Sequence, residues 1–170
     1  EQLGRGRLEA RVSENSGGEL RTLERGVNAM ALALQMAQDR MQERIDEATE
    51  RLSYQASHDA LTGLVNRREF ERRLEKALLS AREDGRVHAL CYLDLDQFKI
   101  VNDTCGHVAG DELLRQLTVL LQSKVRDADT LARLGGDEFG VLLDNCPLEQ
   151  AEIVADLLRQ TVRDFHFAWQ

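Results

Sequence analysis

The sequence predicts an α/β chain in which helices pack on a mainly antiparallel sheet, preceded by one long helix that needs a partner. Three patterns carry this. Apolar residues recur in steps of three and four through Leu20, Leu23, Val27, Met30, Leu34, Ala37, Met41, Ile45, Ala48 and Leu52, a narrow helical seam. Further along, helical faces alternate with short apolar runs. Gly135-Gly136 followed by Asp137-Glu138 then stands at a bend between the apolar runs 131–134 and 139–143, the pattern of a hairpin.

Residues 1–53 and 54–170 read as different kinds of chain. The seam of the first part runs for more than thirty residues, with consecutive steps of four from Ala37 to Met41 to Ile45 that interrupt the heptad as a stutter does. A stripe this narrow pairs with its twin more readily than it lies on its own domain, so the helix predicts a dimeric stalk. In the second part, Phe70, Leu74, Ala77, Leu78 and Ala81 make a helix face closed by Asp84-Gly85. The apolar run 87–93 reads as a buried strand. Leu113, Leu114, Leu117, Leu121 and Val125 make a second helix face, and Pro147 opens a third helix through Val154, Leu157, Leu158 and Val162.

Composition bounds the function. At 170 residues and 42% hydrophobic content, the chain can bury one good core plus an appended element. A net charge of −8 argues against a nonspecific grip on nucleic acid, whose phosphates demand basic surface. Cys91, Cys105 and Cys146 are odd in number and lack metal-type spacing, which fits reduced thiols in a cytoplasmic compartment, with Cys91 packed in the core. No apolar stretch approaches a membrane span, and no signal peptide is visible.

Two acidic sites suggest phosphate chemistry. A glycine pair lets a bulky anion approach bare backbone, and the adjacent Asp137 and Glu138 can hold a divalent cation beside it. Gly-Gly and Gly-Asp are also ordinary turn dipeptides. The upstream run ends in Asp94-Leu95-Asp96, whose carboxylates project to one side by the two-residue strand period. Such groups need a cation, a hydrogen-bonding partner or solvent. By themselves, Asn102-Asp103 and Gly110-Asp111 read as a turn and a helix start, and Arg126 with Asp129 as a surface ion pair.

In order along residues 54–169, the motifs are Asp59-Ala60-Leu61-Thr62-Gly63-Leu64-Val65-Asn66-Arg67-Arg68, Asp94-Leu95-Asp96-Gln97-Phe98-Lys99, Asn102-Asp103, Gly106-His107, Gly110-Asp111 and Gly135 to Phe139. Together they resemble a GGDEF domain of the diguanylate cyclase family, which condenses two GTP into cyclic di-GMP. The resemblance implies a palm-like nucleotidyl cyclase fold. It implies Mg²⁺ or Mn²⁺ held by Asp94, Asp137 and the Leu95 carbonyl, with Glu138 completing the site or helping to deprotonate the attacking hydroxyl. It assigns Lys99, Phe98, Gly135 and Gly136 to the substrate, and Asn102 and Asp111 to its guanine. Arg126 and Asp129, the latter six residues before Gly135, match the family's inhibitory product site. No catalytic role falls to His58 and Arg67, which would tie the stalk to the body, or to His107, which would brace its loop. Family members usually continue past Gln170 with two strands and a helix.

Leu8-Glu9-Ala10-Arg11-Val12, the polar connector 13–18, Glu19-Leu20 and Asn28-Ala29-Met30-Ala31 resemble the second half of a HAMP signal-relay domain. That implies a parent protein anchored in the bacterial inner membrane, with this chain on the cytoplasmic side. Each subunit would supply one GTP half-site, and the stalk would set their alignment. Two rival readings are a catalytically silent receptor for GTP or cyclic di-GMP, with or without a following phosphodiesterase domain, and a dimerisation stalk with a passive globular end.

Overall fold

The structure, a computed structural model, describes residues 18–169. The chain divides into two compact units, Glu1–Ser53 and Tyr54–Gln170. The HAMP-like stretch Leu8 to Val12 and most of its connector lie outside the described residues.

The first helix, α1, spans Glu19–Ser57. Its seam is left open to solvent: Leu20, Leu23, Val27, Met30, Leu34, Met41, Ile45 and Leu52 are between 36% and 66% exposed. Helices of this length gain most of their stability from burying an apolar face, so α1 carries an unburied stripe that propensity alone does not justify.

In the second unit the elements run β1 (Val65–Asn66), α2 (Arg67–Asp84), β2 (Ala89–Asp94), α3 (Phe98–Cys105), α4 (His107–Gln122), β3 (Thr130–Gly135), β4 (Glu138–Leu143) and α5 (Leu148–Arg163). The sheet order is β1-β3-β4-β2. Only the short β1–β3 pairing is parallel; β3–β4 and β2–β4 are antiparallel, so the sheet is mainly antiparallel. Alternation along each strand gives the sheet two apolar faces. On one, Phe139, Val141 and Leu143 of β4 pack with Leu114, Leu117 and Leu121 of α4 and Leu158 of α5. On the other, Phe70 of α2 packs with Val65, Ala132, Leu134 and Leu142. Phe70 lies directly over Gly140, where any Cβ would come within 2.8 Å of its ring, so only glycine lets α2 approach the sheet this closely.

Helix signals in the sequence act as expected at their ends. Asn66 caps α2 by accepting from the Glu69 N–H, and Gly85 terminates it with φ 67. Pro147 precedes α5.

Several expectations are corrected. The run 87–93 is not a fully buried strand: β2 lies at the end of the strand order, and Leu90 and Tyr92 are 41% and 67% exposed while their neighbours face the core. Leu78 and Leu157 are exposed rather than on the buried faces of their helices. Val125 packs on the core from beyond the end of α4. Two elements, β1 and α3, have no counterpart in the sequence reading. β1 is two residues long, and α3 follows Gln97, a non-glycine residue in the left-handed region (φ 66), with no side-chain cap to announce it. Burial pushes the Cys91 thiol up, and nearby Cys146 adds to the effect, which suits a packing role. Among the described residues no helix is long and apolar enough to cross a membrane.

Candidate active site

The glycine turn is built from the backbone outward. Gly135 pairs with Glu138 across the hairpin, after a register irregularity between Arg133 and Gly135. Gly135 and Gly136 have φ 151 and 52, values that favour glycine, and nothing stands within 4 Å of where a Cβ would project. The turn therefore presents open backbone. Arg133 holds it from behind, donating from Nε and Nη2 to the Gly136 carbonyl at 3.0 and 2.8 Å. The same guanidinium donates from Nη1 to Asp59 at 3.1 Å. Asp59 also accepts from the Thr62 N–H and hydroxyl at 3.0 and 2.7 Å. Burial opposes ionisation of Asp59, but the bonds from Thr62 and Arg133 outweigh it and hold the carboxyl below its ordinary value.

Two of the carboxylates stand opposite each other at one end of the sheet. Asp94 and Glu138 are direct partners in the β2–β4 register, so their side chains leave the same face. Both are exposed, while Asp137, in the turn, is half-buried. Like charges directly opposite each other repel, and here one cation is already supplied: Arg67 donates from Nη2 to Glu138 Oε2 at 3.1 Å and from Nε to the Leu134 carbonyl at 2.8 Å. Arg67, expected to tie the stalk to the body, thus reaches the hairpin with both of these bonds. His58 stays local, stacked on Tyr54 with ring centroids 4.0 Å apart.

Carboxylates at an exposed strand end next to the buried Leu95 are hard oxygen donors of the kind Mg²⁺ or Mn²⁺ takes, so the donor chemistry fits a divalent ion. Among the described residues, however, no group of three or more His, Cys, Asp or Glu side chains is assembled to hold a metal.

The predicted guanine residues lie at the α3–α4 junction. Gly106, with φ 84, separates the two helices. Asn102 of α3 packs so tightly on Gly110 of α4 that a Cβ there would fall 2.0 Å from Asn102 Oδ1 and 3.2 Å from Phe98 Cζ. That explains Gly110 as a close approach, and Asp111 follows it, exposed. Phe98 packs against the core, whereas Lys99 and His107 are exposed.

Arg126 and Asp129 are less ordinary than a surface pair. Asp129 accepts from Arg126 Nε and Nη2 at 3.0 and 2.9 Å, from the Arg126 N–H at 3.1 Å and from the Asp144 N–H at 3.1 Å. Its side chain is only 1% exposed, against 56% for Arg126. Burial disfavours the charged Asp129, yet these donors prevail and keep the carboxyl below its ordinary value. The pair borders a cavity of about 360 Å³ that also involves His58, Arg73, Gln122 and Thr130.

Sequence reasoning missed Arg133, Asp59 and Thr62 as supports of the turn. Their signals were the Asp-x-x-Thr pattern, which suits a side chain bonding the backbone three residues on, and an arginine two residues ahead of Gly135.

Comparison with known proteins identifies the family. The family model described as diguanylate cyclase, GGDEF domain, matches residues 56–170. The chain is 52% identical over 119 residues to "Probable diguanylate cyclase DgcE" of Escherichia coli, covering 70% of this chain and 11% of that protein. It is 43% identical over 152 residues to "Diguanylate cyclase TpbB" of Pseudomonas aeruginosa, covering 89% and 33%. The solved coiled coil and GGDEF domain of DgcB from Caulobacter crescentus, in complex with c-di-GMP, superposes with a TM-score of 0.69 at 29% identity, covering 75% of this chain and 68% of that one. The chain thus spans a third or less of the curated relatives named here. With residues 56–170 matched, nearly the whole of its second unit, this chain belongs to the diguanylate cyclase GGDEF domain family.

Proposed function

We propose that the Tyr54–Gln170 unit condenses two GTP into cyclic di-GMP and pyrophosphate, working as a pair. The observation that carries this reading is the direct opposition of Asp94 and Glu138 beside an open glycine turn. In the reaction, the 3′-hydroxyl of each GTP in turn bonds to the α-phosphorus of the other while that phosphorus loses its bond to pyrophosphate, so two phosphodiester bonds form and two pyrophosphates leave. A bound Mg²⁺ or Mn²⁺ would neutralise charge on the phosphate and leaving oxygens. Asp94, Asp137 and the Leu95 carbonyl would hold it, and Glu138 would complete the site or accept the hydroxyl proton. Gly135 and Gly136 give the triphosphate room at bare backbone, with Lys99 as a mobile cation for its oxygens. Asn102 and Asp111 read guanine, since a carboxylate accepts from N1–H and the exocyclic amine in a pattern adenine lacks.

One domain supplies one GTP, so turnover needs two domains facing each other. The exposed seam of α1 supports a parallel stalk that raises their effective concentration, and the HAMP-like residues support signal input from a membrane-anchored parent. Arg126 and Asp129 would bind the product as an inhibitor. The test is direct: with GTP and Mg²⁺ the protein forms cyclic di-GMP and pyrophosphate, separated by chromatography, and Asp94→Asn or Glu138→Gln lowers the rate by about a hundredfold or more. Nucleotide bound without product would favour the silent receptor; no nucleotide bound would favour the passive stalk.

A further inference from the structure

Arg67 links Glu138 of β4 to Leu134 of β3, and the proposed reaction makes no use of it. Asn66, by capping α2, fixes where that helix begins, and Arg67 is its first residue. From there the guanidinium is tied at two points, to the Leu134 carbonyl at 2.8 Å and to Glu138 Oε2 at 3.1 Å. Its side chain and that of Glu138 are 56% and 52% exposed, so the pair adds little to folding stability. What the pair does change is the charge at the Asp94–Glu138 step, where two carboxylates face each other.

We propose that Arg67 is a positioning residue that acts as the resident counter-ion of Glu138, and that a divalent cation entering beside Asp94 must compete with it. The inference rests on the reading of Asp94 and Glu138 as metal ligands. A guanidinium cannot lose its charge near neutral pH, so it neutralises Glu138 whenever no metal is bound. It aims the carboxylate along the hairpin, and the Leu134 bond keeps Arg67 in place when Glu138 turns away. The device makes metal entry weak in the absence of nucleotide. The triphosphate, itself a ligand for the ion, tips the competition and links metal loading to substrate arrival.

Mn²⁺ binding to the nucleotide-free full chain, followed by the loss of the free-ion electron paramagnetic signal, reads this competition without turnover. Arg67→Ala should bind Mn²⁺ about fivefold more tightly than the wild type, the factor expected for removing a half-exposed ion pair. Arg67→Gln, which keeps a donor for Leu134 but no charge, should do the same, and Arg67→Lys should stay within about twofold of wild type. Equal or weaker binding by the Ala and Gln variants, tightening by Ala alone, or no binding by any of the proteins overturns the inference. A separate arm measures Mn²⁺ with a non-hydrolysable GTP analogue: if Asp94→Asn binds it as well as the wild type, the metal-site reading itself fails. If Asp94→Asn loses it while the charge-removing Arg67 variants behave as wild type, only the role of Arg67 falls.

Discussion

Arg133 joins Asp59 at 3.1 Å across 74 residues of sequence while holding the Gly136 carbonyl with its other two nitrogens. One guanidinium therefore ties the glycine hairpin to the segment that follows the long helix. Both side chains are largely buried, at 13% and 25% exposed, so truncating Arg133 leaves Asp59 with a charge it shares only with Thr62. Arg133→Ala should lower stability by about 1–3 kcal/mol, as seen when a buried hydrogen-bonded charge loses its partner. It should reduce cyclase turnover by about tenfold or more while GTP affinity changes far less, because a small displacement of the turn misaligns the reacting groups. Turnover equal to wild type, measured with the folded variant, would remove the hairpin brace from the mechanism.

The same contact sets a pH dependence. Asp59 has a folded pKa below its ordinary value. The unfolded chain then binds more protons than the folded one at acid pH, so stability rises with pH through that window. The contribution is complete above the ordinary carboxylate pKa of about 3.9 and is lost as pH falls through the lowered folded value. Urea midpoints of wild type and Asp59→Asn should therefore differ at neutral pH and converge in acid. A gap that stays constant with pH would contradict the assignment.

Gly110→Ala offers a test of the proposed guanine site that changes no polar group. The new methyl would meet Asn102 Oδ1 at 2.0 Å, so Asn102 must move. Overpacking of this kind costs about 1–3 kcal/mol of stability. The KM for GTP should rise about tenfold with a smaller change in kcat, as for a lost contact made equally in ground and transition states. An unaltered KM would exclude Asn102 from substrate recognition.

Arg126→Ala should relieve inhibition of the cyclase by cyclic di-GMP, seen as a higher plateau in product progress curves. The pair is already closed by two bonds from the guanidinium to Asp129, so the product must open it or bind on its exposed side. Persistence of full inhibition in the variant would refute the product site.

Inserting one residue into the stalk near Met41 rotates everything beyond it by about 100°. If two domains face each other through paired helices, cyclase activity should fall severalfold or more while GTP affinity is nearly kept. Equal activity would count against a stalk that sets alignment.

Local patterns determined a large part of this protein. The seam of α1, the cap at Asn66, the stop at Gly85 and the paired strands around Gly135-Gly136 all follow from short-range spacing and backbone preference, which act within a few residues. Asp94 and Glu138 were legible as acidic sites for the same reason. Their opposition was not: it depends on the β2–β4 register, a pairing of residues 44 positions apart that no local period encodes. Tertiary structure also decided that β2 lies at the end of the sheet with Tyr92 outside, that Gly110 exists to admit Asn102, and that Arg67 and Arg133 reach the hairpin. Long side chains choose partners by distance in space, and the fold alone sets those distances.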